Sequence, residues 1–256
     1  MINVLDHAFK HPLKLEEHAS MPFNGGINRQ GYQCGLVWGA ALAAGAQAYQ
    51  VHGSSPQAET AAIIATQRLV DSFRDRFENI NCLEITECEM QSMLQIFKFL
   101  IKSGAGVGCI RMASKFAPVA YSEIDTALSD ESIEAPVPPV SCAALLARKM
   151  GASELHAVMA AGFAGGIGLC GGACGALGTA IWIHGMKSLE EGTSNKELLS
   201  DVNDMMDRFA AMADYEFECS EIVGRKFEAI EDHAGYLRDG GCSELIDALA
   251  AQGTAG

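Results

Sequence analysis

The chain has 256 residues, of which 49% are hydrophobic and 20% are charged, a balance typical of a compact protein with a substantial core. Its formal net charge is −14 at pH 7, and no lysine and arginine cluster offsets that charge, so a nucleic-acid partner is not expected. The first twenty residues contain no continuous apolar run of the kind found in secretory signals, which predicts a cytoplasmic protein.

Helical signals predominate along the chain. Ser55 and Pro56 predict the cap and first turn of a helix through residues 55–79, and Thr86 with Glu89 predicts the start of another that closes at Gly104. Two further helices are predicted in the second half, over residues 194–217 and 220–237. No segment alternates apolar and polar residues as a half-buried strand does, so the predicted class is all-α.

A break between two halves is predicted near the middle of the chain. The segment "SDESIEAPVPPVS", residues 129–141, is acidic and contains three prolines, which favour extended backbone. It reads as a linker between an N-terminal unit, residues 1–128, and a C-terminal unit, residues 142–256. Ser141 is placed to cap a helix that begins with Cys142.

The two halves share a repeat at an offset of 140 residues. Residues 23–45 align without a gap on residues 163–185, and the matches include several glycines. Three cysteines recur in the same order and at similar spacing, which pairs Cys34 with Cys174, Cys82 with Cys219, and Cys109 with Cys242. The repeat predicts two similar helical bundles, packed either separately or as one unit with a pseudo-two-fold axis.

The segment "GFAGGIGLCGGACGALGTAIW", residues 162–182, contains no charged side chain. Because it consists mostly of Gly and Ala, it predicts a buried central helix rather than a membrane span. Gly171 and Gly172 place Cys174 where a loop becomes a helix, and free amide groups there would favour a thiolate. Glycines also let the backbone approach an inorganic cofactor, so Gly171, Gly172 and Gly175 are predicted to contact one.

The chain contains nine cysteines, an odd number that argues against a disulfide framework and indicates metal or redox chemistry. Thiolates, amide donors and little water are the environment of an iron–sulfur cluster. Two alternatives stay open. One is thiol–disulfide exchange, with Cys170 and Cys174 four residues apart on one helix face, and the other is a structural zinc site.

Haem chemistry has less support in the sequence. Covalent haem is not expected, because the chain contains no C-x-x-C-H motif. His184, the histidine inside the apolar stretch, is compatible with ligation of a metal or a non-covalent haem, and also with simple packing in the core.

The second half resembles a family of redox-active proteins named for its cysteine pattern, C_GCAxxG_C_C. Cys142 matches the first cysteine, "ACGALG" (173–178) matches the core, and Cys219 and Cys242 match the last two. The core departs from the pattern at Ala173 and Gly175. The first half is more divergent, with Trp38 in place of the last glycine and no clear counterpart of Cys142.

The resemblance implies an all-helical redox protein with a metal or iron–sulfur site, and similar domains occur in split-Soret cytochromes. We expect it to act in electron transfer or redox catalysis, with a redox partner protein, as a homo-oligomer. Cys88 has no counterpart and is predicted to pack on an amphipathic helix, whereas Cys170 is an optional ligand. The predicted metal ligands are Cys34, Cys82, Cys109, Cys142, Cys174, Cys219 and Cys242.

Overall fold

The computed structural model of the chain describes residues 1–89, 107–130 and 132–252. These ranges contain thirteen α-helices, one short 3₁₀ helix and no strand, so the all-α prediction is confirmed. The helices of the first half are α1 (Ile2–Ala8), α2 (Lys14–Ala19), the 3₁₀ helix (Met21–Phe23), α3 (Gly35–His52), α4 (Pro56–Phe77), α5 (Cys82–Thr86) and α6 (Val107–Leu128). Those of the second half are α7 (Cys142–Lys149), α8 (Glu154–Ala161), α9 (Gly175–Glu190), α10 (Asn195–Met212), α11 (Cys219–Val223), α12 (Ile230–Arg238) and α13 (Ser243–Gln252).

Two predicted helix starts are confirmed by their caps. The Ser55 hydroxyl accepts a hydrogen bond from the Ala58 amide (3.1 Å) at the start of α4. The Ser141 hydroxyl accepts one from the Ala144 amide (3.2 Å), so α7 begins at Cys142 as predicted. In both cases the side chain satisfies an amide that the helix itself leaves without a partner.

The helix predicted over residues 220–237 is wrong as one continuous element. The helix α11 ends at Val223, Gly224 adopts a left-handed conformation (φ 77°), and α12 starts at Ile230. A residue with positive φ cannot continue a right-handed helix, and glycine adopts that φ without a Cβ clash. The interruption lets Phe227 turn into the core, where it is buried.

The helix predicted from Thr86 to Gly104 falls mostly outside the described residues. Thr86 itself is the last residue of α5, and its hydroxyl donates to the Cys82 carbonyl (2.7 Å) instead of capping a new helix. Cys88 follows in non-helical backbone and is half-buried, so its predicted position on a helix is wrong.

The central helices α3 and α9 connect the two halves through repeated contacts. Helix α3 of the first half packs on α8 of the second. Helix α9 of the second half packs on α2, which is the first-half counterpart of α8. A Cβ atom at Gly45 would overlap the backbone of Met159, and one at Gly185 would lie 3.2 Å from the Ala19 carbonyl oxygen. Gly45 and Gly185 are 140 residues apart, and so are the residues that they contact, Ala19 and Met159. Each central helix therefore approaches the opposite half through an equivalent glycine.

An aromatic cluster fills the centre between the halves. The Phe23 and Phe163 rings meet edge to face at 5.7 Å, and the Trp38 ring stacks on Phe23 at 4.7 Å and meets Phe163 at 4.6 Å. A Cβ atom at Gly178 would overlap the Trp38 ring. Trp38 therefore occupies the space that the glycine at the equivalent position of the second half leaves. The halves share one continuous core, as the pseudo-two-fold arrangement predicts.

The charge-free stretch is divided by the fold. Helix α8 ends at Ala161, a glycine-rich loop follows, and α9 begins at Gly175, with Leu177 and Trp182 fully buried. None of the described helices combines the length and the apolar character needed to cross a bilayer. Residues 132–141 contain no helix, but the domain boundaries drawn on either side of them stay a prediction.

Candidate metal centre

Cys34 and Cys174 are positioned by the same glycine-rich turn in the two halves. Five consecutive residues have positive φ in each copy, residues 25–29 and 165–169. A Cβ atom at Gly26 would overlap the backbone of Tyr32, and one at Gly166 would overlap that of Gly172. Only glycine is compatible with this combination of left-handed backbone and close approach, which explains why both positions repeat.

Each turn delivers its cysteine to the start of a long helix. Cys34 is the N-cap of α3 (φ −55°, ψ 134°), and Cys174 is the N-cap of α9 (φ −54°, ψ 119°). The Cys34 amide donates to the Ile80 carbonyl (2.7 Å), and the Cys174 amide donates to the Phe217 carbonyl (2.8 Å). The predicted similarity of the two cysteine environments is confirmed by this backbone geometry.

The second cysteine of each half is tied to the turn that carries the first. Cys82 begins α5 and its amide donates to the Tyr32 carbonyl, while Cys219 begins α11 and its amide donates to the Gly172 carbonyl, both at 2.7 Å. Isolated β-bridges, Gln33 with Asn81 and Ala173 with Glu218, reinforce the same connection. Short backbone contacts thus bring together cysteines that are far apart in the sequence.

Four cysteines of the second half line one cavity: Cys142, Cys174, Cys219 and Cys242. The cavity measures about 20 Å³, room for about one water molecule. All four thiols lie at or next to helix starts, and the fourth, Cys242, directly precedes α13 with φ 58°. The remaining lining is mainly apolar and includes Ala176, Ile222, Val223, Phe227, Leu237 and Leu245.

Backbone amides point at two of these sulfur atoms. The amides of Gly165 and Ala143 hydrogen-bond the Cys142 thiol, and those of Leu177 and Ala176 hydrogen-bond the Cys174 thiol, which lowers each pKa. Burial has the larger effect and raises the pKa of Cys142 to about 12 and that of Cys174 to about 11. The amides at the helix start thus favour a thiolate at Cys174 as expected, but burial outweighs them and the pKa of this thiol is raised.

Burial raises the pKa of Cys219 as well, and the neighbouring Cys174 and Cys142 thiols raise it further. The pKa of Cys242 is also raised by burial, although a hydrogen bond that the Tyr236 hydroxyl can donate to the sulfur lowers it in part. The four groups thus interact electrostatically and are neutral thiols at pH 7. Within the described parts of the chain, no group of three or more His, Cys, Asp or Glu side chains is arranged to hold a metal ion directly.

Two segments of the chain, residues 2–121 and 140–253, match the family described as "Putative redox-active protein (C_GCAxxG_C_C)". Together they cover most of the sequence. The chain belongs to this family. The family occurs twice in the chain, as the internal repeat predicts, and its description is that of a redox-active protein. No curated protein and no solved structure matches the chain, so the relation to split-Soret cytochromes stays a prediction.

The cysteine cavity also has an aromatic and histidine wall, which the sequence analysis did not predict. His233 and Tyr236 of α12 line the cavity together with Phe227. The His233 Nδ1 atom donates to the Val140 carbonyl (3.0 Å), and burial lowers the pKa of this histidine to about 4, so Nε2 keeps its lone pair. The sequence feature that could have indicated this histidine is its position between Cys219 and Cys242, the last two motif cysteines.

Other predicted site residues lie elsewhere. His184 is absent from the cavity lining, and its Nε2 atom lies 3.4 Å from Asp201 Oδ2 and 3.3 Å from the Ser188 hydroxyl. Gly175 lines the cysteine cavity, but Gly171 and Gly172 line a separate polar cleft of about 220 Å³. The carbonyls of these two glycines accept the amides that start α11, which is a structural role.

Cys170 lies in the same polar cleft and not beside Cys174. Its thiol donates to the Gly166 carbonyl (2.9 Å), with Arg74 and Lys226 in the cleft around it. Because α9 begins only at Gly175, the prediction that Cys170 and Cys174 share a helix face is wrong. Burial raises the pKa of Cys170, so this thiol is also neutral at pH 7.

The first half has a related cysteine group that contains fewer thiols. Burial raises the pKa of Cys82 to about 12, and the neighbouring Cys34 and Cys109 thiols raise it further, with a smaller effect from Cys88. Cys109 is exposed on α6. Ile2, the first residue of α1, stands where Cys142 begins α7, which confirms that the first half has no counterpart of Cys142.

Proposed function

We propose that this C_GCAxxG_C_C protein is a redox protein that binds an iron–sulfur cluster in the second half, through Cys142, Cys174, Cys219 and Cys242. The observation that carries the proposal is the convergence of these four thiols on one cavity lined mainly by apolar side chains. Iron–sulfur clusters are held by cysteine thiolates, and four is the usual number. The type and number of these donors therefore match those of a cluster, although the cavity of about 20 Å³ must widen to admit one.

The surrounding residues support the same assignment. The amides of Leu177 and Ala176 are in place to stabilise negative charge on the Cys174 sulfur, and those of Gly165 and Ala143 act on Cys142. Hydrogen bonds to sulfur and exclusion of water tune such centres. Phe227 and Leu237 keep water from the inner side of the cavity, where both are buried. When bound, a cluster would supply one-electron transfer.

We extend the proposal to the first half, with Cys34, Cys82 and Cys109 as a second ligand set. The matching turn geometry and the electrostatic contact of Cys34 and Cys109 with Cys82 support it. This set has one thiol fewer than the C-terminal set, because Ile2 replaces Cys142. We therefore expect weaker metal binding in the first half.

A single thiolate-bound ion, such as zinc, is the second candidate. The size of the cavity favours it, because about 20 Å³ suits one ion better than a cluster, for which the lining must widen. Thiol–disulfide exchange has less support, since it requires a thiolate and burial keeps the thiols of Cys142 and Cys174 protonated at pH 7.

The test is the composition of the full chain purified without oxygen. Iron, zinc and acid-labile sulfide are measured per chain, together with visible absorbance and the EPR spectrum after reduction. We expect iron with a comparable amount of sulfide and broad visible absorbance. Iron or zinc without sulfide would overturn the cluster in favour of a single ion, and a folded chain free of both metals would overturn metal binding altogether.

A further inference from the structure

An open groove adjoins the cysteine cavity on the outer side of the second half. It measures about 660 Å³, which is within the range of small-molecule sites, roughly 300–1,000 Å³. The groove and the cavity share four lining residues: Ile222, Tyr236, Cys242 and Leu245. These side chains form the wall between solvent and the inner thiols, so a molecule in the groove would lie next to the cysteine site.

Cys242 is the thiol of the C-terminal set that faces both spaces. It is half-buried, whereas Cys142 and Cys174 are buried and do not line the groove. The Cys242 thiol donates to the Tyr236 hydroxyl over 3.9 Å, a long contact. A Cβ atom at Gly241 would overlap the Tyr236 ring, so the loop before Cys242 wraps closely around this tyrosine. The polar groups in the shared wall are thus one thiol and one phenol.

The lining of the groove restricts the chemistry of its ligand. Met212, Ala213 and Ala248 add apolar surface to that of Ile222 and Leu245, and Gly240, Gly241 and Ser243 complete a lining that also has a considerable polar share. Glu244 is the charged side chain among the described residues that line the groove, and no lysine or arginine is found among them. With a net charge of −14 on the chain, the groove disfavours an anion.

We infer that this groove is a binding site for an uncharged small molecule with an apolar body and a polar edge, held directly beside Cys242. The inference rests on the proposed function and deepens it, because it gives the redox site an access route for a small molecule. A molecule bound there would contact the Tyr236 hydroxyl and shield the Cys242 sulfur from solvent.

The test uses the full chain after removal of any metal with a chelator and reductant, and labels thiols with methyl methanethiosulfonate. The Cys242 sulfur attacks the sulfenyl sulfur, a disulfide bond forms, methanesulfinate leaves with the electron pair, and the thiol proton passes to water. Peptide mass spectrometry follows each cysteine. We expect Cys242 to react before Cys142 and Cys174. The uncharged probe 2-naphthol, at ~10 times its dissociation constant, should slow that reaction about tenfold.

A charged probe and two variants complete the experiment. The anionic analogue 2-naphthalenesulfonate should leave the Cys242 rate unchanged, and Ala248→Trp, which fills the groove, should abolish protection by 2-naphthol. Ala211→Trp, at an exposed position of α10 outside the groove lining, is the matched control and should keep it. Should Ala248→Trp fail to fold, Glu244→Lys should extend protection to the sulfonate.

Protection by neither probe, equal protection by both, or protection that persists in Ala248→Trp would overturn the groove as the site. Reaction of Cys142 or Cys174 ahead of Cys242 would overturn the access route. Failure of the proposed function is read separately, from the iron, zinc and sulfide content of the same preparation before metal removal.

Discussion

The turns at residues 25–34 and 165–174 have nearly the same backbone but different side chains. The closing hydrogen bond measures 2.9 Å from the Gly31 amide to the Gly25 carbonyl, and 3.0 Å at Gly171 and Gly165 in the second copy. Nevertheless the cysteines differ, because Ile2 stands where the second half has Cys142. Backbone geometry thus places the shared thiols, while a few side-chain differences decide which half offers four ligands.

The largest expected effect comes from replacing a motif cysteine. Cys174→Ser should lower metal affinity in the second half by more than the ~100-fold that changes around a ligand typically cost, because a hydroxyl is a poor substitute for thiolate. Cys34→Ser should remove only metal bound in the first half and should leave the spectrum of metal bound in the second half unchanged. Metal content and the visible or EPR spectrum of each variant provide the measurement.

The matched control for Cys174→Ser is Cys88→Ser, which alters a half-buried thiol of the first half that has no counterpart in the repeat. It should preserve the spectrum of the wild type. If Cys88→Ser abolished the signal while Cys174→Ser retained it, the repeat would have identified the wrong ligands.

The aromatic centre provides the second test of the comparison. Trp38→Ala removes a fully buried ring and should lower the free energy of unfolding by about 3–5 kcal/mol. Gly178→Ala should cost ~1–3 kcal/mol, since the new methyl group meets the Trp38 ring. In the Trp38→Ala background the same glycine change should cost little, and denaturant unfolding of the four proteins measures this coupling. Additive costs would show that the two positions do not share one space.

The third test addresses Gln33, which joins the two cysteine turns. Its side-chain carbonyl accepts the Ala173 amide (2.9 Å), and its NH₂ group donates to the Asn81 side-chain oxygen (2.9 Å). Gln33→Ala leaves a buried amide unpaired and should lower stability by about 1–3 kcal/mol. Gln57→Ala, at an exposed position in the first turn of α4, should change it by less than ~0.5 kcal/mol. Equal effects in thermal or chemical denaturation would argue against the bridge.

The smallest expected effect involves Glu16, which meets its repeat counterpart His156 at 3.0 Å. The hydrogen bond from His156 lowers the pKa of Glu16. The contact should therefore contribute fully above the unfolded value of about 4.3 and be lost as the pH falls through the folded value. Glu16→Gln should cost about 1 kcal/mol at pH 7, and this difference from the wild type should shrink in acid.

Denaturation at several pH values measures that difference. Glu134→Gln, a change at an exposed position between α6 and α7, is the control and should leave the stability unaltered at every pH. A cost for Glu16→Gln that stays constant into acid would show that the charge of Glu16 contributes nothing to the contact.

Local signals in the sequence were sufficient for much of the fold. A serine directly before an apolar helical pattern is favoured as an N-cap, because its hydroxyl accepts a free helix amide. The caps at Ser55 and Ser141 were therefore predictable. The ordered cysteines predicted that Cys174, Cys219 and Cys242 belong to one site, because equal spacing in two halves reflects equal topology. The repeat alone did not decide between two separate bundles and the shared core that the structure shows.

Other features depend on tertiary contacts that no local pattern contains. Ile27 and Leu169 adopt positive φ, which neither residue favours by itself, because the surrounding turn holds them there. His233 enters the site because Gly224 ends α11 and redirects the chain that leads into α12. The burial that keeps Cys174 protonated likewise comes from packing around the cavity, which the residues at the start of α9 do not reveal by themselves.

The contacts between Glu16 and His156, and between Trp38 and Gly178, join positions that are equivalent in the two repeats. In a dimer of identical chains, a residue on the two-fold axis faces its own copy, so Glu would oppose Glu and Trp would oppose Trp. Like charges would repel there, and two indole rings would compete for one space. Joining both copies in a single polypeptide removes that restriction, because each side of the axis can then carry a different residue. The duplicated chain thereby builds complementary pairs that a symmetric dimer cannot encode.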